Sequence, residues 1–118
     1  MKLICGGIYR HKYDEAYSIV AYTDKSRAYG YILLTHVNSH DKICNQLEKS
    51  NKGQFDSNAY WYASTEFLDD YFDGYIGNVN RNITENMRKD IFFNNAVNLY
   101  SIDLVRTRLF ENYKYVED

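Results

Sequence analysis

Three side chains that can bind a metal recur at intervals of four residues in the first half of the chain. They are His36, His40 and Cys44, and side chains four apart lie on the same face of an α-helix. With Cys5 they would supply two imidazoles and two thiolates, a donor set that zinc accepts in tetrahedral geometry. A zinc site is therefore one hypothesis. The alternative is two unrelated histidines and two free thiols, which applies if a helix begins only after His36.

A second cluster combines carboxylates with aromatic rings. Residues 65–80 contain four acidic residues and neither lysine nor arginine. Aromatic rings supply contact area in protein interfaces, and charged groups supply selectivity. We therefore predict a patch that binds a protein partner, and a short helix with one solvated face is the alternative. The members of the predicted patch are Glu66, Asp69, Asp70, Tyr71, Asp73 and Tyr75.

Basic residues gather in two predicted turns, close to a tyrosine-rich strand. Aromatic rings beside basic groups are typical of proteins that bind single-stranded nucleic acid by stacking. Binding of nucleic acid or a nucleotide is therefore an alternative function, although a net charge of −2 argues against a general polyanion binder. The residues concerned are Arg10, Lys12, Lys25, Arg27, Tyr29 and Tyr31.

Two triplets match a nuclease signature. Gly7-Ile8-Tyr9 and Tyr75-Ile76-Gly77 resemble the paired triplets of the GIY-YIG nucleases, which lie close together in sequence on neighbouring strands. Here most of the chain separates them, which favours a chance match. No nucleophile with a partnered base can be assigned either. We therefore expect a non-catalytic protein without a cofactor.

The composition is that of an ordinary globular domain. The chain has 118 residues, of which 45% are hydrophobic and 25% charged, and this suits one domain over 1–118. Two cysteines are few for a secreted disulfide framework. No apolar run approaches the ~20 residues of a membrane span. We expect a cytoplasmic protein that does not contact a membrane.

The residue usage also bears on origin and partners. Thirteen Tyr, twelve Asn, nine Ile and no Pro are typical of proteins encoded by AT-rich genomes, such as those of low-GC bacteria and phages. We therefore predict an accessory protein of a phage or mobile element that inhibits or redirects a host protein. Because tyrosine-rich sheet edges self-associate readily, a homo-oligomer is a further expectation.

Apolar and β-branched runs predict a β-meander over residues 1–37. The predicted strands are 3–9, 16–22 and 29–37, and short polar turns join them. Gly6 and Gly7 interrupt the first strand, which favours a bulge or a bend there. The meander places the two basic turns at opposite ends of its middle strand.

Residues 38–80 are predicted to form a helix, a loop, a strand and a second helix. The first helix begins at the cap Ser39 and has Ile43 and Leu47 on one face. The second helix ends at Gly74. The predicted ranges are helix 39–49, loop 50–58, strand 60–62 and helix 64–72.

Residues 81–118 are predicted to form a helix followed by a strand. Asn82 and Glu85 form a capping-box pattern, and Met87 and Ile91 continue an apolar face. The stretch 99–110 fits both a strand and a helix, and its β-branched residues favour the strand. The whole pattern predicts an α+β fold, with an antiparallel, partly curled sheet of four to five strands and two to three helices.

The N-terminal part resembles a small bacterial domain family of unknown function. Ile8-Tyr9-Arg10-His11-Lys12 and the strand at 17–21 match the opening of that family, which begins Tyr-Arg-His-x-Lys-Gly. Trp61 and Phe67 would correspond to its closing Trp and Phe. The resemblance implies an SH3-like β-barrel and no known activity. The departures are Tyr13 in place of the glycine, an insertion over 38–58 and no match after about residue 76.

Overall fold

Within the described residues, the chain folds around one six-stranded mixed sheet. The computed structural model describes residues 2–112. The spatial order of the strands is β5-β1-β2-β3-β4-β6, and β4 and β6 form the parallel pair. The elements are β1 (Gly7–His11), β2 (Ala16–Thr23), β3 (Arg27–Leu34), α1 (His40–Gly53), β4 (Tyr60–Ser64), α2 (Thr65–Tyr71), β5 (Phe72–Asn78), α3 (Arg81–Phe93), β6 (Tyr100–Ser101) and α4 (Ile102–Asn112).

The predicted meander is confirmed, since β1 pairs with β2 and β2 with β3 in antiparallel register. The first strand begins at Gly7 and not at residue 3, because Gly6 adopts a φ of 85° that closes a turn. The Gly6 N–H donates to the carbonyl of Val20 at 2.7 Å. The third strand ends at Leu34, before the predicted residue 37.

Helix α1 begins where the sequence predicts and extends further. The Ser39 hydroxyl accepts from the N–H of Lys42, and Ile43 and Leu47 are buried. The helix continues to Gly53, so the predicted loop over 50–58 is partly helical. The polar residues of its last turn stay helical because the hydrogen bonds within the helix continue beyond Ile43 and Leu47.

Helix α2 passes directly into an unpredicted strand. It begins at the predicted cap, where the Ser64 hydroxyl accepts from the N–H of Phe67 at 3.1 Å. It ends at Tyr71, and Phe72 already belongs to β5. The predicted stop at Gly74 is wrong, because residues 72–78 extend along β1 and exchange backbone hydrogen bonds with it.

The C-terminal third differs from the prediction in its last element. Helix α3 is present, but Asn80 caps it in place of Asn82. The stretch predicted as a strand over 99–110 is mostly helix α4, whose buried residues Ile102, Val105 and Leu109 follow helical spacing. This face packs on β3 and β4, and that packing outweighs β-branched preference. Residues 113–118 of the predicted segment lie outside the described residues.

Helices cover both faces of the sheet, which β4 shows most directly. Tyr60 and Trp61 are neighbours in this strand, so their side chains point to opposite faces, yet both are 0% exposed. The Tyr60 hydroxyl donates to Asp90 of α3, whereas the Trp61 ring meets Phe72 at 6.2 Å. Helices α1 and α3 therefore lie over one face, and α2 and α4 over the other.

The sheet is open within residues 2–112, with β5 and β6 as its edges. Six strands and four helices replace the predicted four to five and two to three, and the sheet does not close into the implied barrel. Two register shifts interrupt the pairing of β5 with β1, and such bulges discourage pairing with another chain. None of the described helices is long and apolar enough to cross a membrane.

Candidate functional site

A cleft of about 460 Å³ lies between α2, α4 and the turn that joins β1 to β2. Its volume falls in the range of sites that hold small ligands or single side chains. The three elements come from the start, middle and end of the described chain. The lining residues are Tyr13, Asp14, Phe67, Asp70, Tyr71, Asp103 and Arg106.

Each helix presents its residues to the cleft by helical spacing. Phe67, Asp70 and Tyr71 lie three and four residues apart on α2, so their side chains share one face. Asp103 and Arg106 lie three apart on α4 for the same reason. The cap at Ser64 determines where α2 begins and hence which of its residues point to the cleft.

Carboxylates dominate the charge of the cleft. Arg106 donates from one guanidinium nitrogen to Asp14 at 3.0 Å and from another to Asp103 at 3.0 Å. Three carboxylates therefore face a single guanidinium, because Asp70 also lines the cleft. The Oδ1 atom of Asp14 has no hydrogen-bond partner within residues 2–112. The cleft thus carries an excess of negative charge.

Aromatic rings form the rest of the cleft. The Phe67 and Tyr71 rings lie 5.1 Å apart, centroid to centroid, and Phe67 is exposed. Tyr13 is 75% exposed, and the ammonium group of Lys12 lies 5.9 Å from its ring centroid. Cations bind to the faces of such rings. Rings beside unneutralised carboxylates suit a cationic group better than an anionic or apolar one.

A buried polar layer lies beneath the cleft. Tyr71 is buried, and burial raises the pKa of its hydroxyl above the ordinary value. The ring of His11, 2% exposed, packs edge-on against Tyr71 at 5.0 Å. Burial, together with the charge of Arg106, lowers the pKa of His11 to about 3, so this imidazole is neutral.

His11 and Ser18 form a serine–histidine pair without access to a substrate. The His11 Nε2 lies 2.6 Å from the Ser18 Oγ. Ser18 is completely buried, and a nucleophile must reach the atom that it attacks. The pair therefore belongs to the core.

The structure divides the predicted acidic patch. Asp70 and Tyr71 line the cleft, whereas Glu66 and Asp69 are exposed on α2 outside it. Asp73 forms an ion pair with Arg10. The Tyr75 hydroxyl donates to Asn78 Oδ1 at 2.6 Å. The six residues do not form one surface, because the chain changes from helix to strand after Tyr71.

Five of the cleft residues were not predicted as site residues: Tyr13, Asp14, Phe67, Asp103 and Arg106. Asp14 and Arg106 form their ion pair across 92 positions of the chain, which no local pattern can show. A helical interpretation of residues 99–110 would have placed Asp103 and Arg106 on one face. That is the signal by which part of the site could have been found.

The four predicted zinc ligands are not brought together. His40 Nε2 and Cys44 Sγ lie 3.5 Å apart on α1, and both contact the Asn78 carbonyl. Helix α1 begins only at His40, so His36 precedes it and does not share its face. His36 contacts Glu15. Cys5 is a free, exposed cysteine. Within residues 2–112 no three His, Cys, Asp or Glu side chains are grouped so that they could hold a metal ion.

The residues predicted for nucleic-acid binding do not share a surface. Arg10 and Lys12 lie at one end of β2, and Lys25 and Arg27 at the other, roughly 25 Å away by the rise of an eight-residue strand. Tyr31 is buried, with its hydroxyl accepting from the N–H of Asp56. A buried ring cannot stack on a base.

The two nuclease-like triplets do lie on neighbouring strands. Tyr9 of β1 pairs with Tyr75 of β5, and their ring centroids are 5.6 Å apart. Separation in sequence is therefore no argument against the match. The argument against a nuclease site is burial, since Tyr9 is 1% exposed and its hydroxyl accepts from the Ile4 N–H at 2.9 Å.

Comparison of the chain with protein-family models, with curated proteins and with solved structures finds no match. The resemblance of the N-terminal segment to an SH3-like family remains a prediction.

Proposed function

We propose that this protein is a non-catalytic binding module whose cleft between α2, α4 and the β1–β2 turn takes a basic side chain of a partner protein. The predicted partner-binding patch around α2 is retained, but the centre of the patch moves into the cleft. The new centre is Asp70 with Phe67, Tyr13 and Asp14. Glu66, Asp69, Asp73 and Tyr75 are not needed for it.

One observation carries the proposal: three carboxylates and three aromatic rings share one cleft with a single guanidinium. Arg106 is already engaged by Asp14 and Asp103, so the exposed carboxylate of Asp70 remains to pair with a ligand. A cation over an aromatic face contributes about 0.5–2 kcal/mol, depending on how far it is desolvated. Charge-assisted hydrogen bonds to carboxylates add to this.

The residue usage, which is typical of proteins from AT-rich genomes, supports a phage or mobile-element origin. A host protein is then the expected partner. A module that occupies a basic segment of such a protein would inhibit or redirect it without catalysis. Basic segments commonly contact nucleic acids. We therefore expect the module to inhibit its partner by competing with nucleic acid for the basic segment.

The test uses two peptides that differ only in charge. Acetyl-Gly-Arg-Gly-amide and its citrulline counterpart are titrated into the ¹⁵N-labelled protein, and amide shifts are followed by NMR. We expect the arginine peptide to bind with a millimolar Kd, or about 4 kcal/mol, and to shift amides of α2, α4 and the β1–β2 turn. Citrulline has nearly the same shape without the charge, so we expect much weaker binding.

Two substitutions and a matched control locate the site. Asp70→Asn and Phe67→Ala each remove one exposed group of the cleft, and we expect each to weaken binding about fivefold, or about 1 kcal/mol. Asp69→Asn makes the same charge change on the same helix outside the cleft and should have no effect. Equal shifts with both peptides, or shifts centred elsewhere, would overturn the proposal.

A further inference from the structure

The second exposed aromatic surface lies on the opposite side of the sheet. Phe92 and Phe93 are both exposed at the end of α3, Phe93 to 83%. With Tyr22, Glu85, Arg88 and Lys89 they line a cleft of about 470 Å³. Exposed apolar patches that are rimmed by polar residues are typical of interaction sites, and Glu85, Arg88 and Lys89 rim the two phenylalanines.

The surface is held in place by contacts within the chain. The Phe92 ring meets the ring of Tyr22 at 5.5 Å and that of Tyr29 at 5.4 Å, both edge-on. The Arg88 guanidinium lies 5.4 Å from the Tyr22 ring centroid. A partner would therefore meet a preorganised surface, and little side-chain entropy would be lost on binding.

The charged residues along α3 would match those of a second α3 helix that runs in the opposite direction. Arg81, Glu85, Arg88 and Phe92 are exposed, and their spacing of four, three and four places them in one stripe. Glu85 and Arg88 are equidistant from the midpoint between Asn86 and Met87, and so are Arg81 and Phe92. Within one chain, Arg81 donates from Nε to Glu85 at 3.2 Å. In an antiparallel pair of α3 helices, the same Glu85 faces Arg88 of the second copy, and Arg81 faces its Phe92.

We propose that the occupant of this surface is a second copy of the chain, packed as an antiparallel α3–α3 pair around a two-fold axis. Two-fold symmetry makes each contact twice, so two Glu–Arg pairs and two Arg–Phe contacts flank the axis. The cleft between α2 and α4 lies over the other face of the sheet and stays open in each copy. The dimer is therefore independent of the proposed binding of a basic side chain.

The test is a charge-swap series measured by sedimentation velocity over a range of protein concentrations. Glu85→Arg or Arg88→Glu alone places like charges opposite each other twice, and each should raise the dimer Kd at least about tenfold. The double variant E85R/R88E restores opposite charges and should recover a Kd within a few-fold of the wild type. Recovery by the double variant is specific to the reversed pairing.

Two further variants separate the interface from the fold. Phe92→Leu removes the ring that faces Arg81 of the second copy and should weaken the dimer, whereas Tyr13→Ser removes an exposed ring on the other side of the sheet and should not. Circular dichroism melts confirm that each variant is folded. A wild-type protein that stays monomeric at all concentrations, or a double variant as weak as the single ones, would overturn the proposal.

Discussion

The His11 Nε2 and the Ser18 Oγ lie 2.6 Å apart inside the protein, where both side chains are buried. Tyr71, Phe72 and the charged Arg106 surround the ring. A protonated imidazole would lie buried beside a guanidinium, which explains why burial, together with Arg106, lowers the pKa of His11 to about 3.

This burial predicts a stability that depends on pH. In the unfolded chain His11 returns to its ordinary pKa of about 6.5, so between pH 6.5 and pH 3 the unfolded state binds the extra proton. The contribution is fully present above pH 6.5 and is lost as the pH falls, by about 1.4 kcal/mol per pH unit. Urea denaturation across that window measures it.

His11→Gln should remove this part of the slope, whatever it does to the absolute stability. His36→Gln is the matched control, because it replaces an exposed histidine and leaves the contribution of His11 in place. An unchanged slope in His11→Gln would show that His11 binds its proton equally well in the folded and unfolded states.

A hydrogen bond between Tyr60 and Asp90 connects β4 to α3. The hydroxyl donates to the carboxylate at 2.5 Å, and burial, with Asp90, raises the pKa of Tyr60. Tyr60→Phe should lower the free energy of unfolding by roughly 2 kcal/mol, the range for hydrogen bonds to charged groups. Tyr62→Phe is the control, because the ring that stacks under Arg27 is retained. Chemical denaturation that finds equal losses would contradict the assignment.

Because Gly30 has no side chain, the ring of Trp61 can lie directly against β3 at this position. A Cβ atom at this position would lie 2.1 Å from the carbonyl oxygen of Ile19 and 2.4 Å from the Trp61 ring. Gly30→Ala should therefore destabilise the fold by about 3 kcal/mol or more, because the backbone oxygen cannot move aside cheaply. Gly74→Ala meets nothing within 4 Å and should change stability by less than about 0.5 kcal/mol. Similar melting temperatures for the two variants would contradict this reading of the core.

The two thiols should react at different rates. Cys5 is exposed, whereas burial, aided by Asp41 and Glu48, raises the pKa of the Cys44 thiol. Because the thiolate is the reactive form, we expect iodoacetamide to modify Cys5 about tenfold faster than Cys44 at neutral pH. Peptide mass spectrometry measures both rates, and urea should remove the difference. A zinc ion bound by both thiols would instead slow both reactions in the folded protein.

The elements that the sequence predicts correctly are those defined by local patterns. Residues 16–22 lie in β2 because apolar, aromatic and β-branched residues dominate this stretch, with Ser18 as the one polar residue. Helix α1 begins directly after Ser39, because this capping side chain precedes Ile43 and Leu47, which share one face. These patterns need no knowledge of distant residues.

The errors occur where a distant partner decides the structure. Residues 72–78 are a strand because β1 lies beside them, and residues 102–112 are a helix because their apolar face packs on β3 and β4. In both stretches the local preferences are nearly balanced, so the packing decides.

The sequence by itself determined an α+β domain with an N-terminal meander, an acidic and aromatic segment around α2, and no surplus of positive charge. The tertiary structure alone decided which of those acidic groups meet. Asp14, Asp70 and Arg106 lie in three distant parts of the chain, and the helix α4 that carries Arg106 owes its form to packing on the sheet. Periodicity is visible in a sequence because it is local, whereas a cleft between three elements depends on how the chain closes its long loops.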